Sequence, residues 1–385
     1  MTEDESLMNG QTSYGAVELE ERRTDDKNQG KGKGKYEAHF PNLVDPLNLR
    51  IYTNNIRFDN KNRDSHEKPW SKRKQLITSS IAFNTRPGNA NVVCLQEVLH
   101  NQLEDILFNL NHGNEGEWTY YGVGRSDGLT RGEYAPILFK DQEWSVIENR
   151  TFWLSETPDV PSRGWDAALE RIVTMVTLQS RVNPLIKINF FNTHYDHKGI
   201  EARRKSSLLI IDRMTNYNDY PSFLCGDFNT QPTDEPYHIL KEHGFKDSRT
   251  LADSLNSYGH WSTFTGFDKH HEDNTIIDYI WAPYFAKNGN KPVSHELSVN
   301  NANEKFEEQV PGIEGGESKD LSLIEDGLAL TEDSDIADIN YYNVNLHQQY
   351  NIVIKAFGIL HSYYDFYMSD HRPVVADYIV ERSLW

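Results

Sequence analysis

Residues 184–229 read PLIKINFFNTHYDHKGIEARRKSSLLIIDRMTNYNDYPSFLCGDFN. The apolar and β-branched run PLIKINFFNTHYD predicts a strand, IEARRKSSLLIIDRMTNYN has helical spacing, and YPSFLCGDFN predicts a second strand. The same alternation extends in both directions. LNLRIYT, ANVVCLQEV, YAPILFK, RIVTMVTLQS, TIIDYIWAP and HRPVVADYIV predict strands, while PWSKRKQLITSSIAFN, HNQLEDILFNL and EPYHILKEHG predict helices. That is enough strands for two sheets, and the reading is a layered α/β domain in which helices cover a sheet pair.

The flanks behave differently. Residues 1–40 are polar and contain the low-complexity run GKGKGK, so a disordered arm is expected before a folded domain at 41–385. Residues 291–340 carry 13 acids against 3 bases, over half of the chain's net charge of −19, and predict an acidic, weakly structured surface insertion. The overall acidity argues against field-driven adsorption to nucleic acid or anionic membrane, yet leaves room for a phosphate-bearing substrate at a locally basic or metal-loaded cleft. Cys94 and Cys225, the only two cysteines of the 385 residues, each end an apolar run, which excludes a disulfide framework and a thiolate zinc site. No stretch approaches the roughly 20 apolar residues of a membrane span, and the N-terminus lacks the pattern of a secretory signal. A cytoplasmic protein is expected, with the nucleus as the alternative, and no protein partner is evident.

Polar residues gather where the predicted strands end. Asn55 follows LRIYT, Glu97 follows VVCLQ, His194 follows FFNT, and Asp227 and Asn229 follow FLCG. Asp278 sits within IIDYI, and Asp370 and His371 precede a strand opened by Pro373. Strand-end loops are where fixed scaffolds present chemistry. Oxygen and imidazole donors without thiolates suit Mg²⁺ or Mn²⁺. In an extended exit, residues two apart point the same way, so Asp227 and Asn229 are expected to face one centre while Phe228 anchors the backbone behind them.

Six fragments in order, Asn55-Ile56-Arg57, Gln96-Glu97, Asn192-Thr193-His194, Gly226-Asp227-Phe228-Asn229, Ile277-Asp278-Tyr279 and Ser369-Asp370-His371-Arg372-Pro373, resemble the motif series of the endonuclease/exonuclease/phosphatase superfamily. The resemblance spans about 46–290 and 341–385. It implies a four-layer αββα sandwich with the site at one rim of the two sheets, and Mg²⁺-dependent (or Mn²⁺-dependent) hydrolysis of phosphate esters. Carried over by position, it implies Glu97 as the main metal carboxylate, with Asn55 and Asp370 supporting the metal or its waters. Asp227 is then similar to the water-activating base, Asn229 to the amide that orients the nucleophile, and His371 to an imidazole paired with Asp278. His194 matches a second imidazole at the phosphate. Substrate contacts are expected from Arg57, Glu133, Asp196, His197 and Arg171, with Glu133 also a candidate to orient His194. Asp278 should raise the pKa of His371 by favouring its charged form.

Within the superfamily, the motifs most resemble the carbon-catabolite-repressor/nocturnin-like branch, which implies a 3′-to-5′ RNA exonuclease. The alternative is a phosphatase or phosphodiesterase for a sugar, inositol or lipid phosphate, and a third reading is an inactive scaffold. A basic trough along the rim would favour the polymer, and a closed pocket the small ester. The stretch GVGRSDG at 122–128 lacks the helix a dinucleotide loop requires and is read as an active-site loop.

Overall fold

A computed structural model of the chain describes residues 45–85, 87–112, 118–272, 275–283 and 350–382, all within one unit, Asn42–Trp385. The arm expected at 1–40 and the insertion expected at 291–340 lie outside the described residues.

In chain order the elements are β1 (Leu47–Asn55), α1 (Trp70–Asn84), β2 (Ala90–Gln96), α2 (His100–Asn111), β3 (Trp118–Tyr121), β4 (Ile137–Lys140), β5 (Trp144–Trp153), β6 (Ile172–Ser180) and β7 (Lys187–His194). They continue with α3 (Ile200–Asn216), β8 (Ser222–Asp227), α4 (Glu235–Glu242), β9 (Lys246–Asp247), α5 (Ser248–Leu251), β10 (Ser257–Gly259), β11 (Asp278–Ala282), β12 (Tyr350–Ile359) and β13 (Val374–Arg382).

The ANVVCLQ run of β2 is buried along its whole length, as a strand covered on both faces must be. Successive side chains alternate between faces. Val92 and Cys94 enter a core shared by two sheets, while Val93 and Leu95 meet Ile77 and Ile81 of α1 and Ile106 of α2. Strand β8 repeats the pattern. Phe223 and Cys225 face the shared core, and Leu224 faces a second helix-covered core with Ile210, Ile211 and Leu240. The sheets run β10-β12-β13-β1-β2-β4-β3 and β5-β6-β7-β8-β11-β9. Helices α1 and α2 cover the first and α3 and α4 the second, so the chain adopts the expected four-layer αββα sandwich. Both cysteines are buried free thiols. No helix among the described residues is long and apolar enough to cross a membrane.

Each sheet has a parallel pair at its centre, β1 with β2 and β7 with β8, for which helices α1 and α3 make the crossovers that parallel pairing requires; β10 with β12 is a further parallel pair at the edge of the first sheet. The two central pairs end at one rim. The antiparallel strands β11 and β13 start there, with Asp278 directly opposite Asp227 and Val374 opposite Thr53. In open α/β sheets the carboxyl ends of parallel strands are the usual place for ligands.

Candidate active site

The alternation that sends Ile51, Cys94, Phe190, Cys225 and Ile280 into the gap between the sheets sends Asn55, Gln96, His194, Asp227 and Asp278 into the same gap at its open end. There Gln96 donates to Thr53 Oγ1 at 3.0 Å and, across the gap, to Asn192 Oδ1 at 2.7 Å. These bonds tie the two sheets together beneath the site.

Backbone conformation completes the convergence. Arg57, Glu97 and Asn229, each just past a strand end, adopt left-handed conformations with φ of 57°, 57° and 46°. Side chains other than glycine seldom do so, and such residues concentrate at functional sites. Asn229 therefore does not continue the extended chain, as the sequence reading assumed. It turns back, so that its backbone N–H bonds Asp227 Oδ1 at 2.9 Å and its amide reaches His194 Nε2 at 3.1 Å and Tyr195 O at 3.0 Å. Phe228 is buried, with its ring against Tyr195 and Tyr279. Gly226, at φ 151°, lies so close to β7 that a Cβ would sit 2.1 Å from Thr193 O. Only glycine lets β8 bring Asp227 to this position.

Asp227 is 1% exposed and central. Its Oδ2 accepts from Asn55 Nδ2 at 2.9 Å and lies 3.4 Å from His194 Nε2 and 3.6 Å from His371 Nε2. His371 Nδ1 donates to Asp278 Oδ2 at 2.9 Å. Burial pushes the Asp227 carboxyl up to about 7, against the pull of the His371 charge and with the repulsion of Asp278. Burial works the other way on His371, yet Asp278 and Asp227 outweigh it and raise its pKa to about 10. The imidazole is therefore a cation at neutral pH, held between two carboxylates.

Glu97 is 9% exposed. It accepts from Asn55 Nδ2 at 3.0 Å and from Phe58 N at 3.1 Å, with Arg57 Nη1 at 4.0 Å. The same guanidinium nitrogen lies 3.9 Å from Asp370 Oδ2. The Asp370 carboxyl is raised by burial and by the Glu97 charge, despite His371 and Arg57. Two buried carboxylates thus share one guanidinium, an arrangement short of positive charge and built of hard oxygens, which fits a divalent cation. Asn55 differs from expectation. Its Oδ1 accepts from Arg57 N at 3.0 Å, and its amide nitrogen straps Glu97 to Asp227. It presents a donor to the site, because two carboxylates flank it and only N–H groups can satisfy both. Asp227, Asp278 and His371 also bring one donor atom each within 4.8 Å of one another. A protonated imidazole has no lone pair for a metal, so that trio reads as an ion-paired group.

The outer residues divide. His194, beside Asp227, is pushed well below the usual histidine range by burial and by the Arg171 and Arg125 charges, so it is neutral. Glu133 takes both terminal nitrogens of Arg125 at 2.8 Å and lies 3.9 Å from His194 Nδ1, beyond hydrogen-bond reach, so it does not orient that ring directly. Asp196 is turned inward. Its carboxylate accepts from the backbone N–H groups of Ala168, Leu169, Lys198 and Gly199 and pairs with Arg171 at 3.4 Å, which makes it a brace for two loops and leaves it no face for a substrate. His197 Nδ1 meets Arg171 Nη2 at 3.2 Å.

Two residues escaped the sequence reading. Arg125 lies in the GVGRSDG loop and lines a pocket with Glu133, Arg171 and His194; its signal was an arginine in a glycine-rich loop that fits no phosphate motif. Arg73 of α1, fully buried, donates to the carbonyls of Ile56, Arg57, Lys68 and Met368 and so pins the segments carrying Arg57 and Asp370. Nothing in its helical context marks it.

The family model described as Endonuclease/Exonuclease/phosphatase family matches residues 55–298. Among curated proteins, the chain is 32% identical over 172 residues to uncharacterized protein L388 of Acanthamoeba polyphaga mimivirus, covering 42% of this chain and 59% of that protein. It is 19% identical over 277 residues to the CCR4-Not complex 3′-5′-exoribonuclease subunit Ccr4 of Aspergillus niger, covering 55% and 41%. It thus spans well under two thirds of either relative's length. Among solved structures, an endonuclease/exonuclease/phosphatase from Bacteroides vulgatus is similar at 27% identity and TM-score 0.63, covering 87% of this chain and 100% of that one. A mannosyl-6-phosphatase of Bacteroides thetaiotaomicron is similar at 24% identity and TM-score 0.61, covering 86% and 99%. With the motif residues brought to one rim of the sandwich and the family model matched over more than half of its length, the chain belongs to the endonuclease/exonuclease/phosphatase family.

Proposed function

We propose that the chain is a divalent-cation-dependent phosphate-ester hydrolase whose preferred substrate is a small phosphomonoester rather than a polynucleotide. The observation that carries the choice of substrate is the pairing of the rim arginines. Arg57 meets Asp64 and Glu67, Arg125 meets Glu133, Arg171 meets Asp196, and Arg372 meets Glu272. A polynucleotide needs a track of unneutralised cations along its backbone. Among the described residues, these guanidiniums instead stand as neutralised pairs around one centre. The similarity to a mannosyl-6-phosphatase agrees with this choice.

Phosphate-ester hydrolysis requires very large rate enhancement, which positioning and electrostatic stabilisation must supply. Glu97 and Asp370 would hold the cation, Mg²⁺ or Mn²⁺, which supplies neutralisation of phosphoryl charge. Asp227, with its carboxyl near 7, accepts the proton of the attacking water. Asn229, whose amide hydrogens go to His194 Nε2 and Tyr195 O, orients that water through its Oδ1. His371 keeps its Nε2–H directed at the centre while Asp278 holds its Nδ1, so the imidazolium stabilises the growing charge on a phosphoryl oxygen. His194, neutral, acts through its ring nitrogens as a polar contact.

The second reading is a 3′-to-5′ exoribonuclease, favoured by the similarity to Ccr4. The test is purified full-length protein with Mg²⁺ or Mn²⁺ against p-nitrophenyl phosphate, hexose phosphates, bis-p-nitrophenyl phosphate and RNA oligomers, with Asp227→Ala as control. Monoester turnover lost in the variant supports the first reading. RNA shortening from the 3′ end without monoester turnover supports the second, and no turnover of any ester would remove both.

A further inference from the structure

On the far side of His194 from Asp227 lies a small pocket lined by Arg125, Glu133, Tyr134, Arg171 and His194. The hydrogen-bond inventory of its walls is incomplete in a specific way. Arg171 is 4% exposed, with Nε held by Asp196 and Nη2 by His197, and its Nη1 is buried without a partner. His194 Nδ1 is also buried without a partner. The Asn229 amide nitrogen that meets His194 Nε2 also bonds Tyr195 O, an atom that only accepts, so that nitrogen is a donor and Nε2 accepts from it. In the neutral ring the proton then resides on Nδ1. The walls of the pocket therefore carry two buried donor atoms without a partner, besides the Arg125 hydrogens that Glu133 does not take. Facing them is Glu133, each of whose carboxylate oxygens has taken one Arg125 hydrogen and retains a lone pair.

Two donors opposite one acceptor form the complement of an alcohol, which accepts twice and donates once. The 3.9 Å gap between His194 Nδ1 and Glu133 Oε2 is one that a single oxygen bridges with bonds of about 2.8 Å. We propose that this pocket is a specificity subsite for a hydroxyl on the alcohol part of the substrate, so that the preferred ester is a phosphorylated polyol or sugar. The proposal rests on the reading of the neighbouring centre as a phosphate-ester hydrolase. A second anionic group would instead meet the carboxylate of Glu133, and a purely apolar alcohol would leave both donors buried and empty, which is costly.

The experiment compares glycerol 1-phosphate with n-propyl phosphate, esters of the same chain length with and without neighbouring hydroxyls, on the full chain with Mg²⁺ or Mn²⁺. The expected result is a kcat/KM at least about tenfold higher for the hydroxylated ester, since a site built to bond a hydroxyl discriminates against the analogue lacking it. Glu133→Gln should narrow that ratio towards one. A ratio near one in the unmodified protein, or an equal loss on both esters in the variant, overturns the subsite while leaving the hydrolytic centre standing, because n-propyl phosphate reports that centre alone. If RNA oligomers are shortened and neither monoester is turned over, the polyol proposal falls together with the monoester reading. Inertness towards every ester removes the centre itself.

Discussion

Replacing Asp278 with asparagine removes a charge while leaving a hydrogen-bond acceptor beside His371 Nδ1, where Asp278 Oδ2 now stands at 2.9 Å. Both residues are at most 4% exposed, so solvent screens the pair little. Two unit charges about 4 Å apart interact by about 4 kcal/mol at an effective dielectric of 20, which corresponds to about 3 pKa units. The His371 pKa, about 10 with Asp278 in place, would fall to about 7 in the variant. In the unmodified protein the rate should rise with pH as Asp227 ionises near 7, and fall as His371 loses its proton near 10. In Asp278→Asn the alkaline limb moves into the neutral range. At pH 9 the charged fraction of His371 drops by about a hundredfold, whereas at pH 6 it changes little. The assay is initial hydrolysis of p-nitrophenyl phosphate at saturating Mg²⁺ from pH 5 to pH 10.5, with the variant-to-parent rate ratio plotted against pH. A loss that is uniform across pH, with the alkaline limb unmoved, would refute the reasoning: Asp278 would then only position the ring, and the protonation of His371 would be irrelevant to turnover.

Three further perturbations address other parts of the site. Arg73→Met strips donors from the backbone carbonyls of Ile56, Arg57, Phe58, Lys68 and Met368 and should lower stability by about 3–5 kcal/mol, a fall in Tm of about 5–9 °C by calorimetry. Asn229→Gly relieves the left-handed backbone at φ 46° while removing the amide, so stability should stay within about 1 kcal/mol of the parent as kcat falls about a hundredfold; a fall in Tm matching the loss of activity would contradict this. Mg²⁺ at about 100 times its Kd should stabilise the protein by about 2.7 kcal/mol, and Glu97→Gln should abolish most of that thermal shift.

Most of the sandwich was legible because its central strands are covered on both faces and so carry continuous apolar runs. Strand β5 was not, since the stretch Ile147–Thr151 is largely exposed at a sheet edge and its residues lack the run that marks a buried strand. Strands β9 and β10, of two and three residues, are too short to show a period. Strand β12 alternates exposed and buried positions, but a register shift between Ile354 and Ala356 breaks its rhythm. At the site, the convergence of six fragments followed from their shared place at strand ends, and the pairing of His371 with Asp278 was foreseen. The amide orientation of Asn55 could not be read, because it is set by two carboxylates 42 and 172 residues away. Nor could the brace role of Asp196, whose partners apart from Arg171 are backbone N–H groups that every residue but proline possesses.

The charge of the assembled centre constrains the order in which it can work. Glu97, Asp227, Asp278 and Asp370 are all at most 9% exposed, and among the described residues the cations within ion-pair distance of them are the imidazolium of His371 and the guanidinium of Arg57, with His194 neutral. A phosphate monoester entering such a group meets repulsion from carboxylates that little solvent screens. The protein lessens it in two ways that need no ligand: Asp227 and Asp370 are held at raised pKa, and Asn55 turns an N–H to each of Glu97 and Asp227. Neither supplies net positive charge. A cation at Glu97 and Asp370 would do so, and would also lower the Asp370 carboxyl, so cation and phosphate each favour the other's presence. If the centre hydrolyses phosphate esters as proposed, this carboxylate excess favours a substrate that arrives with, or after, its counter-ion.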